Sequence, residues 1–69
     1  MKSIQVAFYK EGDQWVARAL NVEVSTFGNS LEEAKSAIRE ALELYFEDED
    51  VEIPDIEAVS VEGVDVRIA

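Results

Sequence analysis

The sequence predicts a small α+β domain of order β-β-β-α-β, a small mostly antiparallel sheet with one helix packed on one face. Three observations lead there. Apolar and polar residues alternate with a period of two over 2–10, and Gln14–Leu20 reads as the returning strand after a turn. The stretch from Gly28 to Glu47 carries its own helix-start signal and a single apolar stripe. Beyond Pro54 the chain returns to valine-rich, β-type sequence.

In the first strand Ile4, Val6 and Phe8 share one face, with Ser3, Gln5, Ala7 and Tyr9 on the other. Lys10-Glu-Gly-Asp13 offers a turn in which Gly12 is free to take a positive φ. The returning strand presents either Trp15, Ala17 and Ala19 or Val16, Arg18 and Leu20 to the core. The charge of Arg18 favours the odd-numbered set facing inward. Val22–Phe27 reads as a third short strand, ended by Gly28-Asn29, which makes an antiparallel meander.

Ser30 is a good N-cap, and Glu33 three residues on completes a capping box. Glu32 and Glu33 also suit the positive end of the helix dipole. Leu31, Ala34, Ile38, Ala41, Leu42 and Tyr45 form the apolar stripe, while Glu32, Ser36, Arg39, Glu40, Glu43 and Glu47 lie opposite. Arg39 and Glu43, four residues apart, are spaced for a weak ion pair. Leu44 and Phe46 fall off the stripe on opposite flanks. The acidic run from Glu47 to Asp50 ends the helix, and Pro54 blocks its resumption. Ala58–Val61 and Val64–Ile68 are β-like, with a change of parity across Glu62-Gly63. That parity change fits one bulged strand or two short ones, the bulged strand being preferred. After a crossover helix this strand is expected to lie parallel to an earlier one, in the right-handed sense.

Sixty-nine residues (1–69) form a single domain near the lower size limit for a self-sufficient core. The chain has no cysteine for disulfides and no histidine, so zinc sites are not expected. Self-association is the remaining support, and a homo-oligomer, dimer or higher, is expected. With 16 acidic and 6 basic residues the net charge is −10. Such a chain repels nucleic acid, whose binding rests on Lys and Arg, so no direct nucleic-acid binding is expected. A basic protein partner would be attracted and steered instead, although the same charge also serves solubility. No signal-peptide pattern or membrane-length apolar run is present, which points to no membrane association and a cytoplasmic protein.

Catalytic inventory is thin. Without Cys or His, Ser3, Ser25, Ser30, Ser36 and Ser60 have no imidazole base, and no catalytic residue is expected. The acidic segment Glu47, Asp48, Glu49, Asp50, Glu52, Asp55, Glu57 lacks the spacing and glycine of a calcium loop, so no metal or cofactor is expected. A two-metal nuclease of the ribonuclease H class, the enzyme alternative for this element order, needs converging carboxylates. The first strand has none between Lys2 and Lys10.

Gly12-Asp-Gln-Trp-Val-Ala17, Gly28-Asn-Ser-Leu-Glu-Glu-Ala34 and Ala37-Ile-Arg-Glu-Ala-Leu-Glu-Leu-Tyr-Phe-Glu47 together resemble the second strand, helix entry and helix of HicB-type antitoxins. The resemblance spans about Ile4 to Glu47. It implies a partial ribonuclease H-like fold without catalysis and an antitoxin role in a type II toxin–antitoxin pair. The implied partner is a HicA-type toxin, a small basic mRNA-cleaving ribonuclease whose RNA-cleaving surface the antitoxin occludes. The chain departs from the pattern in two places. After the second strand it has Ala19-Leu-Asn-Val-Glu-Val24, where many members carry a Pro-Gly-Cys-like segment. It also ends at Ala69 after one β segment, so the operator-binding C-terminal segment of some members is not expected. The expected partner contacts are Glu40, Glu43 and Glu47, with an apolar anchor from Trp15 or Phe27; ordinary core packing is the competing role for both aromatics. The alternative reading is an orphan domain, structural or regulatory, that only self-associates.

Overall fold

Alternation, a glycine turn and one capped helix build nearly everything that the computed structural model shows over its described residues, 3–47 and 52–68. Strand β1 (Val6–Glu11) turns at Gly12-Asp13 into β2 (Gln14–Ala19), which leads to β3 (Ser25–Gly28) and then helix α1 (Leu31–Glu47). The sheet order is β1-β2-β3 with both pairings antiparallel. Gly12 has φ +59°, and among the described residues no non-glycine has a positive φ. A glycine at the first central position followed by an ordinary residue is the pattern of a II′ hairpin turn, whose twist suits the flanking strands.

That two-residue turn pairs Glu11 with Gln14, and so sets Phe8 opposite Ala17 and Val6 opposite Ala19. The odd-numbered set of β2 faces the helix, as the charge of Arg18 predicts. Ala17 and Ala19 are buried, Trp15 is half-buried and Arg18 is exposed. From α1, Ala34 and Ile38 close onto this surface, with Val6, Phe8, Val24 and Leu42 packed around them. Small side chains let the helix lie close. A Cβ on Gly28 would stand 2.8 Å from the Ala34 nitrogen. Ser30 caps the helix: Glu33 N–H donates to Ser30 Oγ at 3.1 Å and Ala34 N–H to the Ser30 carbonyl at 3.0 Å, while the return bond of a full capping box, from Ser30 N–H to the Glu33 carboxylate, is not formed. On the exposed side an ion pair joins Lys35 to Glu32 at 3.7 Å; Arg39 and Glu43 are not in ion-pair contact.

Three expected elements differ. The first strand begins at Val6 rather than residue 2, with 3–5 outside the sheet ladder. The third strand begins at Ser25 rather than Val22, because Leu20 to Glu23 are spent on the connection. Ala19 N–H donates to the Val24 carbonyl and Val24 N–H to that of Val22, closing a backbone turn that side-chain patterning does not report. The fourth strand does not form: 52–68 carries no strand, whether bulged or split, and the sheet is wholly antiparallel. The chain is held at Pro54, whose carbonyl accepts from Asn21 Nδ2 at 2.9 Å while Asn21 Oδ1 accepts from Gln5 N–H at 2.9 Å. Ile53 and Ile56 are half-buried, but every residue from 57 to 68 is exposed. β-Propensity is mostly the ability to fit beside a neighbouring strand, and among the described residues no strand pairs with this segment. The radius of gyration is accordingly 14.0 Å, against about 11 Å for a compact chain of this length. Lys2, Asp48 to Val51 and Ala69, which belong to the expected first strand, the helix exit and the chain end, lie outside the described residues.

One buried polar atom conflicts with the packing. Thr26 Oγ1, on the helix side opposite Ala17, has no hydrogen-bond partner among the described residues. Thr26→Val keeps the branched shape and removes the orphan oxygen. It is expected to raise the unfolding free energy by about 1 kcal/mol, read as a higher denaturation midpoint. An unchanged or lower midpoint would contradict this.

Candidate interaction surfaces

Three surfaces carry the side chains singled out above. On α1, Glu40, Glu43 and Glu47 recur at three- and four-residue steps and are all exposed. They form one stripe about 10 Å long at the helical rise. The last turn of α1 contains no basic residue. The helix dipole places its negative end at the same terminus, so carboxylate and backbone potentials add there. This arrangement costs the helix a little stability and makes its end a favourable seat for a cation. The neighbouring apolar residues are Leu44, 63% exposed, and Tyr45, whose ring meets Phe46 edge-on at 5.1 Å and 88°.

The two aromatic candidates are separated by the sheet. Trp15 lies on the helix side, half-buried against the Ala17, Ala34 and Ile38 cluster and paired with Gly28. It sits beside the start of α1, whereas Glu47 is at the other end. Phe27 projects from the open face and is 65% exposed. The structure thus brings Glu40, Glu43 and Glu47 together and places Phe27 on the far side of the sheet from them.

Phe27 has companions that the sequence reading did not single out. Its cross-strand neighbour is Val16, whose neighbour on the other side is Tyr9. Tyr9, Val16 and Phe27 make an apolar row across the open face, beside the row of Ala7, Arg18 and Ser25. The signal was available: a two-residue turn at Gly12-Asp13 pairs Tyr9 with Val16. Only the later turn fixes which face Phe27 joins.

A concavity of about 500 Å³ follows the β2–β3 connection from Arg18 to Ser25. Ser25 is its hydroxyl nucleophile candidate, and the chain offers no histidine to activate it. Among the described residues no three carboxylates converge as a metal-ligand set. No helix among the described residues is long and apolar enough to cross a membrane. Comparison with known proteins gives no match from any family model, any curated protein or any solved structure.

Proposed function

We propose that this chain is a non-catalytic, HicB-like antitoxin module that binds and neutralises a small basic HicA-type mRNA-cleaving ribonuclease in the cytoplasm. The observation that supports it most is the exposed stripe of Glu40, Glu43 and Glu47 toward the negative end of α1. A ribonuclease must present cations to hold the phosphates of its substrate. A carboxylate stripe competes for those same cations, and long-range attraction between −10 and a basic partner accelerates the encounter. In this reading Trp15 or Phe27 supplies an apolar anchor, and the exposed Leu44 and Tyr45 add apolar contact beside the stripe. The chain itself, acidic as it is, makes no direct contact with nucleic acid.

A second reading, an orphan domain that only self-associates, draws support from the open sheet face and the unpaired C-terminal segment. Co-expression separates the two. The first reading expects a basic ribonuclease from a neighbouring reading frame to co-purify with this chain, and growth arrested by that ribonuclease to recover. No complex and no rescue would leave the self-associating domain.

A further inference from the structure

We infer that residues 58–68 form a strand only in a pair of chains, each copy adding this segment to the outer edge of β1 of the other. The inference does not depend on the antitoxin reading.

The segment is built as a strand. Val59 and Val61 alternate before Gly63, and Val64, Val66 and Ile68 alternate after it with opposite parity. A single-residue bulge at Glu62-Gly63 restores the side, so all five point the same way. Each is more than half exposed, Val61 to 91% and Ile68 to 87%. Valines and isoleucine in alternation with Ser60, Glu62, Asp65 and Arg67 describe one apolar and one polar strand face, and the single chain gives the apolar face nothing to cover.

The receiving edge is β1. Leu20 N–H donates to the Gln5 carbonyl, and the antiparallel register continues from that pair. Odd-numbered residues of β1 therefore bond to β2, which leaves the backbone groups of Val6, Phe8 and Lys10 along the outer edge without a strand. Val6 and Phe8 also face the helix layer and are only half-buried. A strand laid beside them with its apolar face toward the helix layer would finish that layer. β3 is the poorer edge, with four residues to the six of β1.

Size and economy of the body argue for a second copy as the source. The buried hydrophobic residues among those described are Ala17, Ala19, Ala34 and Ile38, so most of the core is alanine. On the order of 100 Å² is covered per buried β-branched side chain. Two exchanged segments and the edges that they cover thus approach the roughly 1,200 Å² at which specific interfaces begin. Reciprocal exchange closes with two-fold symmetry and leaves neither copy's β1 edge without a strand. Because each copy carries −10, association must overcome repulsion and should tighten as salt is added.

Sedimentation of the full chain tests this. The wild type is expected to be a dimer at micromolar concentration, with a dissociation constant that falls as NaCl rises. Val66→Pro removes a ladder donor from an exposed segment. It should raise the dissociation constant at least about tenfold while leaving far-ultraviolet dichroism of the body and Trp15 fluorescence in place. Val64→Asp should do the same without proline. A wild type that stays monomeric, or a dimer that both tail variants leave intact while Phe27→Asp dissociates it, would overturn the exchange. Mixing a Lys10→Cys chain with a Val64→Cys chain, in a protein otherwise free of cysteine, should trap a mixed disulfide dimer. A double variant that instead closes its disulfide within one chain at high dilution, with no dimer, would also overturn it.

Discussion

Ile38→Ala is expected to lower the unfolding free energy by about 2–5 kcal/mol. Small domains have about 0.05–0.15 kcal/mol of stability per residue, or roughly 3–10 kcal/mol here, so this one truncation removes a large share. Ile38 is 4% exposed, and no large side chain among the described residues is completely buried. Its neighbours Ala17 and Ala34 are already minimal and cannot swell into the space left behind. The surrounding Val6, Phe8, Trp15, Val24 and Leu42 are each partly committed to solvent. Denaturation followed by dichroism and by Trp15 fluorescence should show the loss in both signals. Leu44→Ala, on the same helix but 63% exposed, should stay within about 0.5 kcal/mol of wild type. Equal effects from the two would contradict the core assignment.

Gly28→Ala is the second large effect, and its cause is steric. The added Cβ would sit 2.8 Å from the Ala34 nitrogen, 3.0 Å from the Glu33 carbonyl carbon and 3.0 Å from Glu33 Cβ. Two of these are backbone atoms inside the first turn of α1, so relief requires the helix entry to move away from β3. That motion would strain the Ser30 cap and loosen Ala34 and Ile38 from β2. Overpacking of this kind costs about 1–3 kcal/mol. Gly12 provides the contrast, since a Cβ there meets nothing within 4 Å and its requirement is the φ of +59°. Thermal unfolding should place Gly28→Ala well below wild type, by roughly 4–8 °C for each kcal/mol lost. A midpoint equal to wild type would mean that the close approach of β3 to α1 is absent in solution.

These residues also show which parts of the fold were legible. The helix was readable because cap, dipole charges and stripe agreed over Ser30 to Leu42, and each is a local signal. The hairpin was readable because Gly12 sits in a polar turn between an alternating run and a second strand-like run. Arg18 correctly indicated the inward face of β2. The start of β3 was hidden because backbone bonds at Ala19 and Val24 make the turn, whatever the side chains of Leu20 to Glu23 prefer. The register of that turn also decides the face of Phe27, and a shift of one residue would have moved it to the helix side. For 58–68 the pattern was strand-like and the single chain is not, because pairing depends on a neighbour the sequence does not specify. The carboxylate stripe on α1 followed from helical spacing alone, whereas the separation of Trp15 from Phe27 required the sheet.

The claim that the α1 stripe captures a basic ribonuclease is tested most directly by titrating that ribonuclease with this chain across a series of NaCl concentrations. Wild type and the double variant Glu40→Lys, Glu43→Lys should be compared. Charges separated by more than about 8 Å are largely screened at physiological salt. The account predicts a wild-type affinity that weakens steadily with salt, opposite in sign to self-association, and a charge-reversed chain that neither binds nor protects RNA. A complex of equal strength at all salt concentrations, or one that the reversal leaves untouched, would contradict it.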